Sequence, residues 1–337
     1  MTINGKAMHI LITGAAGMIG HKLVARLVEA DALNGCPIER LTLIDVVAPE
    51  KPQKFSGSVI SAAADISEPA TAPALVAARP DVIFHLAAVV SGEAELDFDK
   101  GTRVNLDGTR ALLEAIRMVG DGYRPRLVFT SSIAVFGAPF PETIGDDFHL
   151  TPLTSYGTQK AIVELLLADY TRRGFVDGIG VRLPTISVRP GRPNKAASGF
   201  FSSIIREPLN GEEAVLPVDE TVVHWHASPR AAVGFLLHAA QLESKKLGPR
   251  INLTMPGVCC SVAEQIAALR RVAGEKVAAR IRRAPDPLIA RIVAAWPRRF
   301  DPVRALALGF RAEASFDEII RLHIEDERGG ERVQRQV

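Results

Sequence analysis

Cysteine is scarce in this chain: Cys36, Cys259 and Cys260 are the three in 337 residues. Their number is odd, two are neighbours, and no spacing matches a zinc site. Neither a disulfide framework nor a metal-built fold is expected, and the thiols read as reduced apolar residues. Charge of one sign is also missing. Forty basic residues face 38 acidic ones, a formal net of +2, which leaves no electrostatic footprint for nucleic acid. No apolar run approaches the roughly 18 residues that a membrane span requires. The short polar start, Met1 to Ala7, lacks the apolar core of a signal peptide. A cytoplasmic protein without internal repeats or low-complexity blocks is therefore expected.

What is present is enough chain for one large core and a smaller appended one. Met8 to Thr13 is a short, almost wholly apolar run, as suits a strand buried on both faces of a parallel sheet. Similar runs are Leu41 to Ile44, Val59 to Ala62, Val82 to Leu86, Arg126 to Thr130 and Ile179 to Leu183. Helical patterns at 18–30, 73–78, 104–118 and 156–173 separate most of them. Strands alternating with helices predict an α/β fold with a doubly wound parallel (Rossmann) sheet over 8–190. Beyond that point the elements shorten, and helices are expected at 199–210, 229–242, 261–273 and 316–326, with a strand near Arg250 to Leu253. Residues 191–326 thus read as a smaller, mostly helical substrate lobe, with some crossing of the chain between the two. Residues 327–337 read as a tail.

The first strand runs into Gly14-Ala15-Ala16-Gly17-Met18-Ile19-Gly20, followed at once by the first helix. Glycines there permit a tight turn, and the helix amino terminus offers free N–H groups to a pyrophosphate. The second strand ends in Asp45, with Val46, Val47, Ala48 and Pro49 after it rather than arginine. A carboxylate at that point accepts hydrogen bonds from ribose hydroxyls and repels a 2′-phosphate, which favours NAD over NADP.

Tyr156 and Lys160 lie four residues apart on an expected helix, about one turn apart on one face. A phenol with a pKa near 10 is a poor base at neutral pH, and a neighbouring ammonium makes its phenolate accessible. Such a pair is suited to proton transfer with a substrate hydroxyl, the lysine also reaching a nicotinamide ribose.

The Gly-x-x-Gly-x-x-Gly spacing, with Tyr-x-x-x-Lys downstream, resembles the short-chain dehydrogenase/reductase superfamily, and the length resembles its extended branch of epimerases and dehydratases. The resemblance implies several further roles. Asp65 and Ile66 would contact adenine. Leu86, Ala87 and Ala88, Asn105, Ser131 and Pro184 would lie against the cofactor, while Ser132 would hydrogen-bond the reacting oxygen. It also implies a homo-oligomer, a dimer joined through the exposed faces of helices 104–118 and 156–173.

The second half departs from nucleotide-sugar enzymes of that branch. Arg189-Pro190-Gly191-Arg192-Pro193-Asn194-Lys195 and His224-Trp225-His226-Ala227-Ser228-Pro229-Arg230 stand where those have other turns. In these segments the chain resembles members that oxidise a short sugar acid. Ser91 and Thr185 are then candidates for substrate hydroxyls, and Arg192 or Lys195 for the carboxylate. His224 and His226 share a face if extended; no third ligand is evident, so no metal is expected. A nucleotide-sugar epimerase or dehydratase that retains its NAD is the alternative. A non-catalytic NAD-binding protein is a third reading, against which both Tyr156 and Lys160 speak.

Overall fold

The structure is a computed structural model that describes residues 7–191 and 198–328. By internal contacts the chain divides into two units. One comprises Met1–Val135, Thr154–Arg182 and Val233–Leu253, the other Phe136–Leu153, Leu183–Ala232 and Thr254–Val337. The chain therefore passes from one to the other at Leu183, and again on either side of Phe136–Leu153 and Val233–Leu253.

The first unit is built on strands β1 (Met8–Thr13), β2 (Cys36–Asp45), β3 (Ser58–Ala63), β4 (Val82–His85), β5 (Arg126–Ser132) and β6 (Asp177–Leu183). Their spatial order is β3-β2-β1-β4-β5-β6, with Asn252–Thr254 beyond β6. β1 pairs in parallel with both β2 and β4, β2 with β3, and β4 with β5. This is the doubly wound order, whose direction of winding reverses between β1 and β4. Ile10, Leu11, Ile12, Leu41, Leu43, Ile83, Phe84 and Val128 have no exposed surface, as expected of strands covered on both faces.

β2 is longer than the run Leu41 to Ile44 suggested. Its first residues pair antiparallel with Ala32–Leu33 around Asn34 and Gly35, both at positive φ. An Asn-Gly pair in this conformation makes the tight hairpin that a right-handed strand twist prefers.

The longer helices of this unit are α1 (Met18–Ala30), α2 (Thr71–Ala77), α3 (Ser91–Leu96), α4 (Thr109–Val119) and α5 (Ser155–Arg172). The expected helix 104–118 is not uniform. Thr102–Gly108 forms a π-helix that runs into α4, a widened turn of the kind that gathers at functional sites. Thr154 caps α5, its hydroxyl accepting from the Gly157 amide at 3.1 Å.

The second unit carries helices α6 (Gly199–Leu209), α7 (Pro229–Gln241, which continues into the first unit), α8 (Val262–Ala273) and α9 (Phe316–Arg328). α9 extends through Glu327 and Arg328, where a tail was expected. A three-stranded sheet orders β7 (Thr185–Ile186), β8 (Val223–Ala227) and β9 (Val258–Ser261), with β8 central, parallel to β7 and antiparallel to β9. Its core gathers Phe201, Ile204, Ile205, Leu216, Val262, Leu269, Ile319 and Ile320. Ser261 and Glu264 close a capping box at the start of α8.

Candidate active site

The glycine loop is pressed into place by the backbone around it. Gly14 has φ +76°, and a Cβ there would stand 2.6 Å from the Ala87 nitrogen; at Gly20 it would stand 2.3 Å from the Gly14 carbonyl oxygen. No side chain fits either position without moving the main chain. At Gly17 the nearest heavy atom is 3.3 Å away. Gly17 is also the N-cap of α1. No side chain caps this helix and no acid occupies its first turn, so the amides of Met18, Ile19 and Gly20 keep the partial positive charge of a helix start. A bare, uncapped amino terminus behind a close-packed glycine loop fits a pyrophosphate.

Asp45 ends β2 beside this loop. One carboxylate oxygen accepts from the Ala16 amide at 3.0 Å and the other from Val46 at 2.7 Å, so the acid also ties the strand end to the loop. Asp65 accepts from both the amide and the hydroxyl of Ser67, at 2.8 and 2.7 Å. Burial opposes its charge, yet those hydrogen bonds hold its carboxyl below the usual range. Ile66 is buried and packs towards Gly108, where a Cβ would come within 3.0 Å of its methyl.

Leu86, Ala87 and Ala88 follow β4 and are half-buried; the Leu86 amide donates to the Thr13 carbonyl at 3.0 Å. Asn105, in the π-helix, donates to the Val89 carbonyl (3.1 Å) and to Gln159 Oε1 (2.8 Å), and its Oδ1 accepts from the Val89 amide (2.8 Å). Both amide hydrogens are spent. Its side chain thereby braces the segment after β4. His85 is held between Thr13 and Thr109 hydroxyls at 2.7 and 2.9 Å. Complete burial, with the Lys160 charge acting the same way, pushes its pKa down to about 3, and the ring is neutral.

Ser131 and Ser132 end β5, and alternation along the strand sends them to opposite sides. Ser131 is buried and donates to Glu164 Oε1 at 2.5 Å. Ser132 is half-buried; its oxygen accepts from the Ala134 amide at 3.1 Å, and its own hydrogen remains available to donate.

Lys160 is buried on α5, and its Nζ donates to the Thr130 carbonyl at 2.8 Å. The same nitrogen lies 4.7 Å from the centre of the Phe129 ring and 5.6 Å from that of Tyr156. Burial pulls its pKa down to about 7, against an upward pull from Glu164. The structure therefore joins Tyr156, Lys160 and the end of β5, which carries Ser132, in one neighbourhood. A half-buried phenol beside an amine that titrates near neutrality is equipped to exchange a proton with a hydroxyl.

Sequence reasoning missed what lies behind this pair. Glu164, one turn beyond Lys160, has no exposed surface. It is gripped by Arg182, whose Nε lies 2.9 and 3.1 Å from its two oxygens and whose Nη2 lies 2.7 Å from one of them. The available signal was a lone arginine inside the apolar run of β6, which demands a buried counter-charge.

Ser91 begins α3 and is half-buried. Pro184 is buried in the second unit. Thr185, at the start of β7, bonds His224 Nε2 at 2.7 Å, while His224 Nδ1 faces the Pro297 carbonyl at 3.0 Å. Since a carbonyl only accepts, the hydrogen sits on Nδ1. Thr185 then donates to Nε2, and its oxygen is left as an acceptor. His226 meets Ser187 at 3.3 Å and Gln265 at 3.0 Å. Burial lowers His224 to about 4, partly offset by its bond to Pro297, and lowers His226 well below its ordinary value, with the His224 and Arg189 charges acting the same way. Both histidines do share a buried face of β8. Among the described residues no group of three or more His, Cys, Asp or Glu side chains is placed to hold a metal ion, and none of the helices is long and apolar enough to cross a membrane. Arg192 and Lys195, named for the substrate carboxylate, lie outside the described residues.

Known proteins share this architecture over nearly the whole chain. The D-erythronate dehydrogenase of Cupriavidus necator is 50% identical over 323 residues, covering 95% of this chain and 98% of that protein. The D-erythronate dehydrogenase of Haemophilus influenzae is 44% identical, covering 94% and 99%. A crystal structure described as the nucleoside-diphosphate-sugar epimerase from Agrobacterium tumefaciens superposes with a TM-score of 0.95 at 66% identity, covering 96% of this chain and 95% of that one. Residues 10–245 match the model of the NAD dependent epimerase/dehydratase family, and the chain belongs to that family.

Proposed function

We propose that this protein oxidises the C2 hydroxyl of a short sugar acid with NAD, converting D-erythronate to 2-dehydro-D-erythronate. The observation that carries the reading is end-to-end likeness at 50% and 44% identity to two D-erythronate dehydrogenases. The first unit holds the dinucleotide: Gly14, Gly17, Met18, Ile19 and Gly20 face the pyrophosphate, Asp45 the adenosine ribose, Asp65 and Ile66 the adenine, and Leu86 to Ala88 the rest. Bound NAD supplies the acceptor for the hydride that leaves C2.

The chain's own groups handle the proton. Ser132 donates a hydrogen bond to the C2 oxygen and Tyr156 accepts the hydroxyl proton as general base. Lys160 stabilises the phenolate by its charge and fixes the nicotinamide ribose. Ser91 and Thr185 receive further hydroxyls, Thr185 as an acceptor only. Arg192 or Lys195 pairs with the carboxylate. The second unit is the substrate lobe, and the protein works in the cytoplasm as a homodimer.

A second reading is supported by the 66% identity to the structure described as a nucleoside-diphosphate-sugar epimerase: the hydride is returned and NAD stays bound. Purified protein given D-erythronate and NAD separates the two. Net NADH, followed by absorbance across a panel of four- and five-carbon aldonic acids, is the expected result. Co-purified NAD, interconversion of nucleotide sugars and no net NADH would replace the first reading by the second.

A further inference from the structure

Tyr156, Lys160 and Glu164 follow one another at intervals of four on α5, so they stand in a row along one side of the helix. The row passes from a half-buried phenol through a buried amine to a buried carboxylate. Other groups face the amine from neighbouring strands. β5 brings the Phe129 ring and the Thr130 carbonyl, β4 brings the neutral His85, and β6 brings Arg182, which is turned to Glu164. Among these, only Glu164 offers Lys160 a negative charge. An amine taken out of water gives up its proton readily unless such a charge is near.

The carboxylate is in turn held in place at its oxygens. Arg182 spans both of its oxygens and Ser131 adds a third donor. Charge-assisted bidentate pairing of this kind fixes a carboxylate in position.

We infer that Glu164, clamped by Arg182 and Ser131, is a positioning residue that opposes loss of the Lys160 proton and so favours the ammonium–phenolate form of the pair over the amine–phenol form. The inference rests on Tyr156 acting as the base. Removing one proton from the phenol–ammonium pair leaves either a neutral amine beside a neutral phenol or an ammonium beside a phenolate. These two forms carry the same net charge and differ only in where the proton sits. A carboxylate on the amine's side of the row favours the second form, which is the one able to accept a proton from a substrate hydroxyl. Glu164 is two turns from Tyr156 and one from Lys160, so it acts more strongly on the amine than on the phenol.

The test must avoid stranding one buried charge, which would unfold the protein for trivial reasons. Glu164→Leu combined with Arg182→Met removes both charges together. Glu164→Gln with Arg182→Gln keeps hydrogen-bonding groups should the first variant not fold, as judged by thermal melting. Tyrosinate absorbance is followed as the pH of the NAD-free protein is raised. The chain has three tyrosines. Burial pushes Tyr123 upward, and burial with the Glu114 hydrogen bond pushes Tyr170 up to about 12, so the Tyr156 step is identified by difference. Subtracting the Tyr156→Phe titration isolates its step.

In the paired variants that step is expected to move upward by about one pH unit or more, tenfold in phenolate at a given pH. The acid limb of NADH formation should move with it. A folded variant whose Tyr156 step stays at the wild-type pH, or moves down, overturns the inference. If no sugar acid is oxidised at all, the proposed function fails while the absorbance titration still decides the role of Glu164.

Discussion

Both units bury histidines and hydroxyl groups, yet they use them differently. In the first unit the buried polar chain ends at half-buried groups: Arg182 holds Glu164, Lys160 lies beside Tyr156, and β5 finishes at Ser132. In the second unit the chain closes on itself. His224 is stacked on Phe201 at 5.2 Å and lies 5.3 Å from Trp296, while His226 meets the edges of Phe201 and Phe316. Hydrogen bonds to Thr185, Pro297, Ser187 and Gln265 occupy both rings. The polar chain of the first unit therefore ends on the groups proposed for proton transfer, whereas the two histidines of the second unit serve internal order. What separates them is that the first chain ends on groups with a proton to exchange, the second on the acceptor oxygen of Thr185.

The sharpest way to break this contrast is Tyr156→Phe. It removes a single hydroxyl from a half-buried position and leaves the ring in place. Turnover is expected to fall about 10²- to 10⁴-fold, the usual contribution of a positioned acid–base group, with the melting temperature and NAD affinity close to wild type. Turnover within a few-fold of wild type in a folded protein would show that the row on α5 is as self-contained as the histidines of β8.

The first unit was the more legible of the two. Its strands are continuous apolar runs, because both faces are covered, and its glycine loop is dictated by close main-chain contacts that no other residue tolerates. Alternation at the end of β5 distinguishes Ser131 from Ser132, but which of them turns inward depends on Glu164, 33 positions along the chain from Ser131 and invisible to local pattern. Glu164 itself sat at a readable spacing after Lys160; on an amphipathic helix, however, such a spacing normally marks a solvated pair. Asn34 and Gly35 carried a hairpin signal that went unused. The second unit offered less, since short strands joined by long excursions leave no period to read, and the alternation of His224 and His226 told only that they share a face.

A second test probes the closed network through pH. His224 is lowered to about 4 and His226 lies well below its ordinary value, while in an unfolded chain both titrate near 6.5. Between those values the unfolded state binds protons that the folded state does not. Stability is therefore present above about pH 6.5 and is lost as pH falls towards 4, by up to about 1.4 kcal/mol per pH unit for each histidine. His85, lowered to about 3, adds the same sign from the first unit. Melting temperature should drop steeply across this window, and His224→Gln should flatten the slope by about one proton. An unchanged slope would mean that His224 is hydrated and already titrating in the folded protein, and the second unit would no longer be the closed one.

The smallest effect expected concerns Asp45, which stands at the boundary between the two uses of a buried polar group. It ties the glycine loop through Ala16 and it presents charge where an adenosine ribose is proposed to lie. Asp45→Asn keeps an oxygen for the Ala16 amide but removes the charge; Asp45→Ala removes both. If repulsion of a 2′-phosphate is the main term, both variants lose about tenfold of the preference for NAD over NADP, about 1.4 kcal/mol. If holding the loop is the main term, Asp45→Ala weakens both cofactors alike and Asp45→Asn leaves the ratio unchanged. Titrating each variant with the two dinucleotides by fluorescence gives the ratio without any turnover. The physical expectation is the first outcome, because the loop is already fixed by the main-chain contacts at Gly14 and Gly20 and needs the carboxylate least.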